Sequence, residues 1–213
     1  MDDIKGRLSK GTFVSIAAAS FSIYAYEALK EELEQVEQLR FIFTSPTFIK
    51  DKSKKEKREF FIPKLNRERN LYGTDFELRL RNQLSQKAIA KECADWIRRK
   101  VQFRSNASQE QMGGFMHVNN ETQRVYLPFN EFTTTQLGCE RGANVYNVVN
   151  VLPSPTANAY LEIFNEQWNN DEKFEDVTKR ILEYIDTVYQ ENAPEYVYFI
   201  ALYNILSLIH ISE

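Results

Sequence analysis

One histidine is the first candidate for chemistry in this sequence. Outside residues 206–213 the only histidine is His117, in the stretch GGFMHVN over residues 113–119. An imidazole titrates near pH ~6.5, so His117 could act as a nucleophile or a proton donor on a phosphodiester at neutral pH. The alternative is a structural histidine that is hydrogen-bonded at the edge of a sheet. The residues themselves leave both interpretations open.

A basic segment over residues 50–69 is the best signal for nucleic-acid binding. It holds nine lysines and arginines against four acids, and it also contains Phe60 and Phe61. Such cations could neutralise phosphates and release counterions, and the phenylalanines could stack on a base. A solvated surface loop is the alternative. The candidate DNA contacts are Lys54, Lys55, Lys57, Arg58, Lys64, Arg67 and Arg69.

A second basic cluster, Arg98-Arg99-Lys100 with Arg104, follows a long apolar periodicity. Cations at the C-terminal end of a helix are favourable by about 0.3–1 kcal/mol without any ligand. This cluster therefore favours a structural interpretation.

Several classes of site are missing from the sequence. It has no G-x-x-x-x-G-K-[ST] loop, no G-x-G-x-x-G and no H-E-x-x-H. Without the first of these, ATP hydrolysis of the phosphate-loop type is excluded for this stretch of chain. Cys93 and Cys139 form no C-x-x-C pair and have no histidines near them, so no metal site is expected. The net charge of −3 does not favour nucleic-acid binding by the chain as a whole.

The N-terminal half predicts a β-α-β unit. An apolar run over residues 12–22 is typical of a buried strand, although its alanines also allow a helix. Helical spacing of apolar residues predicts a helix over 24–36, and LRFIFTS predicts a strand over 39–45. Such a unit places parallel strands side by side in a covered sheet.

A long helix and a hairpin come next. The sequence Thr74-Asp75-Phe76-Glu77 fits a capping box, and apolar periodicity continues from there to about Lys100. A strand is expected over 101–104. Two more, over 115–118 and 124–129, are joined by NNET, which has the composition of a turn.

The remainder predicts helices only. Ser154 before Pro155 suits a helix cap and first position. One helix would bury Leu161, Phe164 and Trp168 on one face, and a second would bury the set Phe174, Val177, Ile181, Ile185 and Val188. The expected organisation is an α/β domain over 7–152 and a helical extension over 153–205. Residues 206–213, LSLIHISE, are identical to one translated frame of a transposon-end sequencing adapter, so we expect an artefact there and a parent protein that continues.

This order of segments resembles a known family. The stretches FVSIAAASFSIYAYEALKEEL, LRFIFTSP, AKECADWIRRKVQF, GFMHV and LPFNEFTTTQLGCERG resemble the phospholipase D-like (HKD nuclease-like) domain at the N-terminus of bacterial Swi/Snf-type helicases of superfamily two. The resemblance covers most of residues 7–205. It implies a mixed sheet flanked by helices, followed by a C-terminal helical segment that leads to a helicase core.

The resemblance also assigns site residues. Active members carry H-x-K, an Asp and a G-S-x-N element, and they cleave phosphodiesters without metal through a phosphohistidine. His117 matches the family histidine, but Asn119 stands at the lysine position. Asn130, within FNEFT, stands for the last element, whose Gly and Ser are missing, and no Asp follows Asn119 where the family has one. The motif is therefore degenerate.

The resulting expectation is a DNA-contacting or regulatory accessory domain of an ATP-dependent DNA helicase. It would need no cofactor itself, while ATP and Mg²⁺ belong to the missing core. One alternative is an active metal-independent nuclease that works as a homodimer. Another is a non-enzymatic protein-interaction module. We expect a cytoplasmic protein with no membrane contact, because the N-terminus lacks the apolar core of a signal peptide.

Overall fold

The computed structural model describes residues 2–45, 75–108, 110–139 and 149–190. Within these ranges the chain forms six helices and seven strands. In chain order they are α1 (Asp2–Arg7), β1 (Phe13–Ala18), α2 (Ile23–Ala28), α3 (Lys30–Leu33), β2 (Gln38–Phe43), α4 (Asp75–Lys100), β3 (Val101–Asn106), β4 (Phe115–Asn119), β5 (Gln123–Leu127), β6 (Asn150–Pro153), α5 (Thr156–Trp168), β7 (Phe174–Asp176) and α6 (Thr178–Gln190).

The strands form one mixed sheet in the order β6-β5-β4-β1-β2-β3-β7. Strands β1, β2 and β3 run parallel, with Ser15 beside Arg40 and Arg40 beside Gln102. Strand β4 runs antiparallel to β1 and begins the meander β4-β5-β6, while β7 pairs antiparallel with β3. The predicted β-α-β unit and the predicted hairpin are both confirmed, and the fold is α/β with a mixed sheet.

The first face of the sheet carries the larger core. Apolar side chains of helices α2, α3, α4 and α6 cover it. Aromatic rings fill the centre, where Phe21 packs edge-on against Phe41 and Phe103 with ring centroids 5.8 and 5.3 Å apart. The fully buried Trp96 donates its indole N–H to the Leu33 carbonyl at 3.1 Å. This bond satisfies the polar atom of the largest core side chain and ties α4 to α3.

Helix α5 covers the second face. Phe164 is completely buried there, stacks on Trp168 with centroids 5.6 Å apart, and packs with the sheet residues Ala17, Ile42 and Phe115. Residues 153–190 thus contribute one strand to the sheet and a helix to each face.

Two local predictions for this C-terminal part are wrong, and one strand was missed. Phe174 begins strand β7 instead of a helix, because residues 174–176 pair with the edge of β3. Strand β6 was not expected at all. Helix α5 begins at Thr156, with no side-chain cap at its N-terminus, and the Ser154 hydroxyl bonds instead to the Asn158 side chain at 2.7 Å.

Two other predictions concern the helix expected over 24–36 and the start of α4. The helix expected over 24–36 is divided at Leu29 into α2 and α3. The proposed capping residue Thr74 lies outside the described residues, although α4 does begin at Asp75.

Trp96→Phe tests the tie between α4 and α3. The substitution leaves the buried Leu33 carbonyl without its donor and removes part of a packed ring, so we expect a loss of about 2–3 kcal/mol in the free energy of unfolding. Urea denaturation followed by circular dichroism gives this value. Trp168→Phe is the control and should cost clearly less. Trp168 is half-buried, and the hydrogen bond that its backbone carbonyl accepts from Arg104 does not depend on the side chain. Equal losses would contradict the assignment.

Candidate functional site

The β3–β4 connection crosses the carboxyl edge of the parallel strands. Strand β3 ends at Asn106 and β4 starts at Phe115 beside the end of β1, so residues 107–114 must pass over β2 and β1. In open α/β sheets, ligands bind outside the carboxyl ends of the strands where the connectivity changes direction. The change here falls at β1, which has a parallel neighbour on one side and an antiparallel neighbour on the other.

A well-bonded turn anchors the start of this connection. The buried Asn106 donates its amide to the Thr44 carbonyl at 3.1 Å and to the Glu110 carbonyl at 2.9 Å. Its amide oxygen accepts from the backbone N–H and the hydroxyl of Ser108 at 2.8 and 2.7 Å. The ends of β2 and β3 are thereby joined to the crossing segment.

Two adjoining cavities lie along this edge, which we call together the edge crevice. The larger has a volume of about 480 Å³ and is walled by the end of the crossing segment, the end of β5 and helix α5. The smaller, about 180 Å³, lies between residues 106–112 and the end of α5. Gln167 lines both, and its buried amide oxygen has no hydrogen-bond partner among the described residues.

Gly114 is required by a close approach of backbone at the wall of the larger cavity. A Cβ at this position would lie 2.4 Å from the Phe129 carbonyl oxygen and 2.8 Å from the Asn130 Cα. The same two strand ends are joined by a hydrogen bond from the Phe129 N–H to the Gly114 carbonyl at 2.9 Å. Gly113, by contrast, has open space around its Cβ position.

Asn130, one of the two predicted catalytic residues, lies in this wall. Its side chain is exposed, it lines the larger cavity, and its carbonyl accepts from the Ala19 N–H at 2.7 Å. His117, the other, lines neither cavity. The structure therefore does not bring His117 and Asn130 into one pocket.

His117 belongs instead to a polar row on the sheet face under α5. The row consists of His117, Ser15 and Arg40, which are direct neighbours across β4, β1 and β2. Arg40 donates to the Ser15 hydroxyl at 3.2 Å and to the Asn165 side chain of α5 at 2.9 Å. Its guanidinium also lies 5.0 Å from the centre of the Phe164 ring.

The imidazole of His117 is fully buried. Neither ring nitrogen has a partner within normal hydrogen-bond geometry in the described part of the chain, although the Gln123 side chain interacts with the ring. Burial lowers the pKa of His117 below 6.5, the nearby charge of Arg40 acts in the same direction, and the Gln123 side chain opposes both. The neutral form of the imidazole is thus favoured. The expected position at a sheet edge is wrong, because β4 lies inside the sheet.

The predicted DNA-contacting residues Lys54, Lys55, Lys57, Arg58, Lys64, Arg67 and Arg69 lie outside the described residues. The second basic cluster is used within the fold: Arg98 binds both carboxylate oxygens of Asp186 at 2.7 and 2.9 Å, and Arg99 binds Glu34. Arg104 binds the Trp168 carbonyl and the Asp171 carboxylate. This agrees with the structural interpretation of the cluster.

The cysteines and acids provide little for cofactor chemistry. Burial raises the pKa of the Cys93 thiol, so it stays protonated in the first core. Across the described ranges, no group of three or more His, Cys, Asp or Glu side chains is arranged to hold a metal ion. None of the helices in those ranges has the length and apolarity needed to cross a membrane.

Comparison with known proteins identifies no relative of this chain. No protein family, no curated protein and no solved structure matches it.

Most of the crevice could not be located from the sequence. Gly114 lies in the crossing segment, whereas Tyr160 and Gln167 lie in α5, far away in the sequence, and the sequence around Gln167 has no special pattern. The paired glycines before β4 were the available signal, since two glycines beside a strand indicate close backbone approach.

His117→Leu tests the isolation of the imidazole. Leucine is of similar size and carries no polar atom, so we expect the free energy of unfolding at pH 8 to be unchanged or to rise by about 1 kcal/mol. Because the pKa of His117 is lower in the folded state than in the unfolded state, the unfolded state binds a proton at a higher pH, so stability falls as the pH drops below about 6.5. The variant should lose less stability between pH 7 and pH 5. A large loss at pH 8 would show that His117 has a partner.

Gly114→Ala tests the close approach in the crevice wall. The added methyl group meets backbone atoms that cannot rotate away, so we expect a loss of more than about 2 kcal/mol. Gly113→Ala is the matched control one residue earlier and should change stability by less than about 1 kcal/mol. Thermal unfolding of the two variants side by side measures the difference, and similar melting temperatures would contradict the contact.

Proposed function

We propose that this chain is a phospholipase D-like accessory domain of an ATP-dependent DNA helicase, and that it contacts DNA without cleaving it. The mixed sheet, the parallel β-α-β unit and the hairpin that starts with GFMHV agree with what the resemblance implies. ATP and Mg²⁺ would be bound by the helicase core of the parent protein. The proposal rests on this agreement of order and topology, since no relative supports it.

The observation that carries the non-catalytic part of the proposal is the state of His117. A phosphohistidine mechanism needs an accessible imidazole and cations preorganised around the phosphate. His117 is fully buried under α5, the family's lysine is replaced by Asn119, and Asn130 lines a cavity that His117 does not reach. These features favour a domain that has kept the fold of the family and has lost the ability to cleave phosphodiesters.

The DNA-contacting part depends on the basic segment. Strand β2 ends at Phe43, at the carboxyl edge, and the first lysine of the basic segment in the sequence is Lys50. A basic segment that neutralises phosphates gives affinity without sequence preference and makes it strongly salt-dependent. This role suits an accessory domain that holds DNA for a motor.

The test is a charge-reversal pair. Replacing Lys54, Lys55 and Lys57 by Glu should weaken binding to duplex and forked DNA and reduce the slope of log K against log salt by about 3, since each lost phosphate contact contributes ~0.9. Fluorescence anisotropy over a salt series measures both quantities.

The matched control replaces three exposed lysines elsewhere, Lys10, Lys91 and Lys179, by Glu. Its total charge equals that of the first variant, so a general loss of attraction would affect both alike. The proposal requires the larger loss in the basic-segment variant. If the two variants bind equally well, the basic segment is not the DNA contact.

A further inference from the structure

The edge crevice has a lining that the proposed phosphate contact does not use. None of the described residues that line the larger cavity is charged. Its walls combine apolar side chains with the amides of Gln111, Asn130 and Gln167 and the ring of Tyr160. A ligand that fits this lining is neutral and part apolar, with hydrogen-bonding groups on its rim.

Gln167 indicates which hydrogen-bonding group a ligand of the crevice must supply. Gln167 lines both cavities, and its amide oxygen is buried and accepts no hydrogen bond from the described residues. A buried acceptor without a donor costs free energy, so a ligand that brings an N–H or O–H to this point recovers that cost. A phosphate or carboxylate brings no proton and does not meet the requirement.

Tyr160 indicates the shape of the ligand. Its ring packs edge-on against Phe115 with centroids 5.0 Å apart and forms part of the cavity lining. An aromatic ring in a cavity wall gives a planar heterocycle a surface on which to stack. The larger cavity, at about 480 Å³, lies within the usual range of roughly 300–1,000 Å³ for small-molecule sites.

We infer that the edge crevice binds a nucleobase of single-stranded DNA, with Gln167 accepting a hydrogen bond from the base and Tyr160 providing the stacking surface. Amide side chains pair with the donor and acceptor edges of bases, and a base can enter such a cavity only when it is unpaired and unstacked. The identification of DNA as the source of the base rests on the proposed function. The chemistry of the cavity does not.

The position of the crevice agrees with this role. Thr44, which follows β2, is bonded to Asn106 in the wall of the smaller cavity. The crevice therefore lies at the carboxyl edge of the parallel strands, where ligands bind in open α/β sheets.

The experiment uses the full chain and two kinds of probe. Saturation-transfer NMR with the four deoxynucleosides tests for a base alone, because these probes carry no phosphate and do not depend on the basic segment. Anisotropy with oligodeoxyadenosine and oligothymidine tests for a base within a strand. A blocked, uncharged tripeptide serves as the competing ligand class.

Gln167→Leu should weaken nucleoside binding roughly threefold to tenfold, the effect of one hydrogen bond, and Tyr160→Leu should weaken it about tenfold or more. Gln35→Leu is the matched control, since Gln35 is exposed on the first face of the sheet, and it should leave binding unchanged. Urea denaturation of each variant establishes that it is folded. If Gln167→Leu is unfolded, Gln167→Met replaces it, with the same loss expected because methionine has a similar length and carries no amide oxygen.

The outcomes separate this inference from the proposed function. Nucleoside binding that depends on Gln167 supports the inference, even if duplex and forked DNA do not bind and the accessory function is wrong. Salt-dependent duplex binding with no nucleoside contact leaves the proposed function in place and overturns the inference. Binding of the tripeptide in preference to every nucleoside also overturns it.

Discussion

The handedness of parallel crossovers governs the layout of this fold. Two successive β-α-β connections, from β1 through α3 to β2 and from β2 through α4 to β3, must turn the same way and so place their helices on one face of the sheet. Tyr26 of α2, Leu33 of α3 and Trp96 of α4 all belong to the first core. The opposite face is left for a later segment to cover, and the chain must then return from β3 across the carboxyl edge to reach β4.

The edge crevice and the polar sheet face under α5 both follow from this constraint on the handedness of the crossovers. The return from β3 to β4 creates the edge crevice, since a segment that crosses strand ends cannot fill the space beneath it as a helix would. Among the described helices the uncovered face receives α5, which meets a surface that carries Arg40 and Arg104 as well as apolar residues. Their guanidinium groups lie near the aromatic rings of α5 and hydrogen-bond to the helix or to its end.

The second core is consequently more polar than the first. Burial lowers the pKa of Arg40, but its bonds to Ser15 and Asn165 and the adjacent Phe164 ring offset the cost of removing a cation from water. His117, the neighbour of Ser15 in the same row, has no partner within normal hydrogen-bond geometry among the described residues, and only the Gln123 side chain favours its charged form. The neutral imidazole is favoured there because burial disfavours the charged form and because Arg40 places a like charge nearby.

The sequence predicted those elements whose apolar periodicity is long enough to be specific. The β-α-β unit, helix α4 and the hairpin have clear patterns, and the structure has all of them. Strands β6 and β7 have four and three residues and contain exposed positions, so their existence depends on pairing with β5 and β3. Phe174 illustrates the difficulty, since its spacing from Val177 fits a helix although its partner across the sheet is Asn106.

The candidate site was harder to predict for a related reason. His117 was conspicuous because of its residue type, yet the strand alternation that places it beneath α5 becomes visible only when β6, β5 and α5 are in position. Gln167 has an ordinary residue type, but the crossing segment and the end of α5 enclose its amide oxygen and leave it without a donor. The capacity of a side chain to bind or react therefore depends here on which polar groups the fold leaves without a hydrogen-bond partner. By that criterion the polar row and the crevice differ: covering α5 closes the first to ligands, while the second stays open at the edge where the chain changes direction.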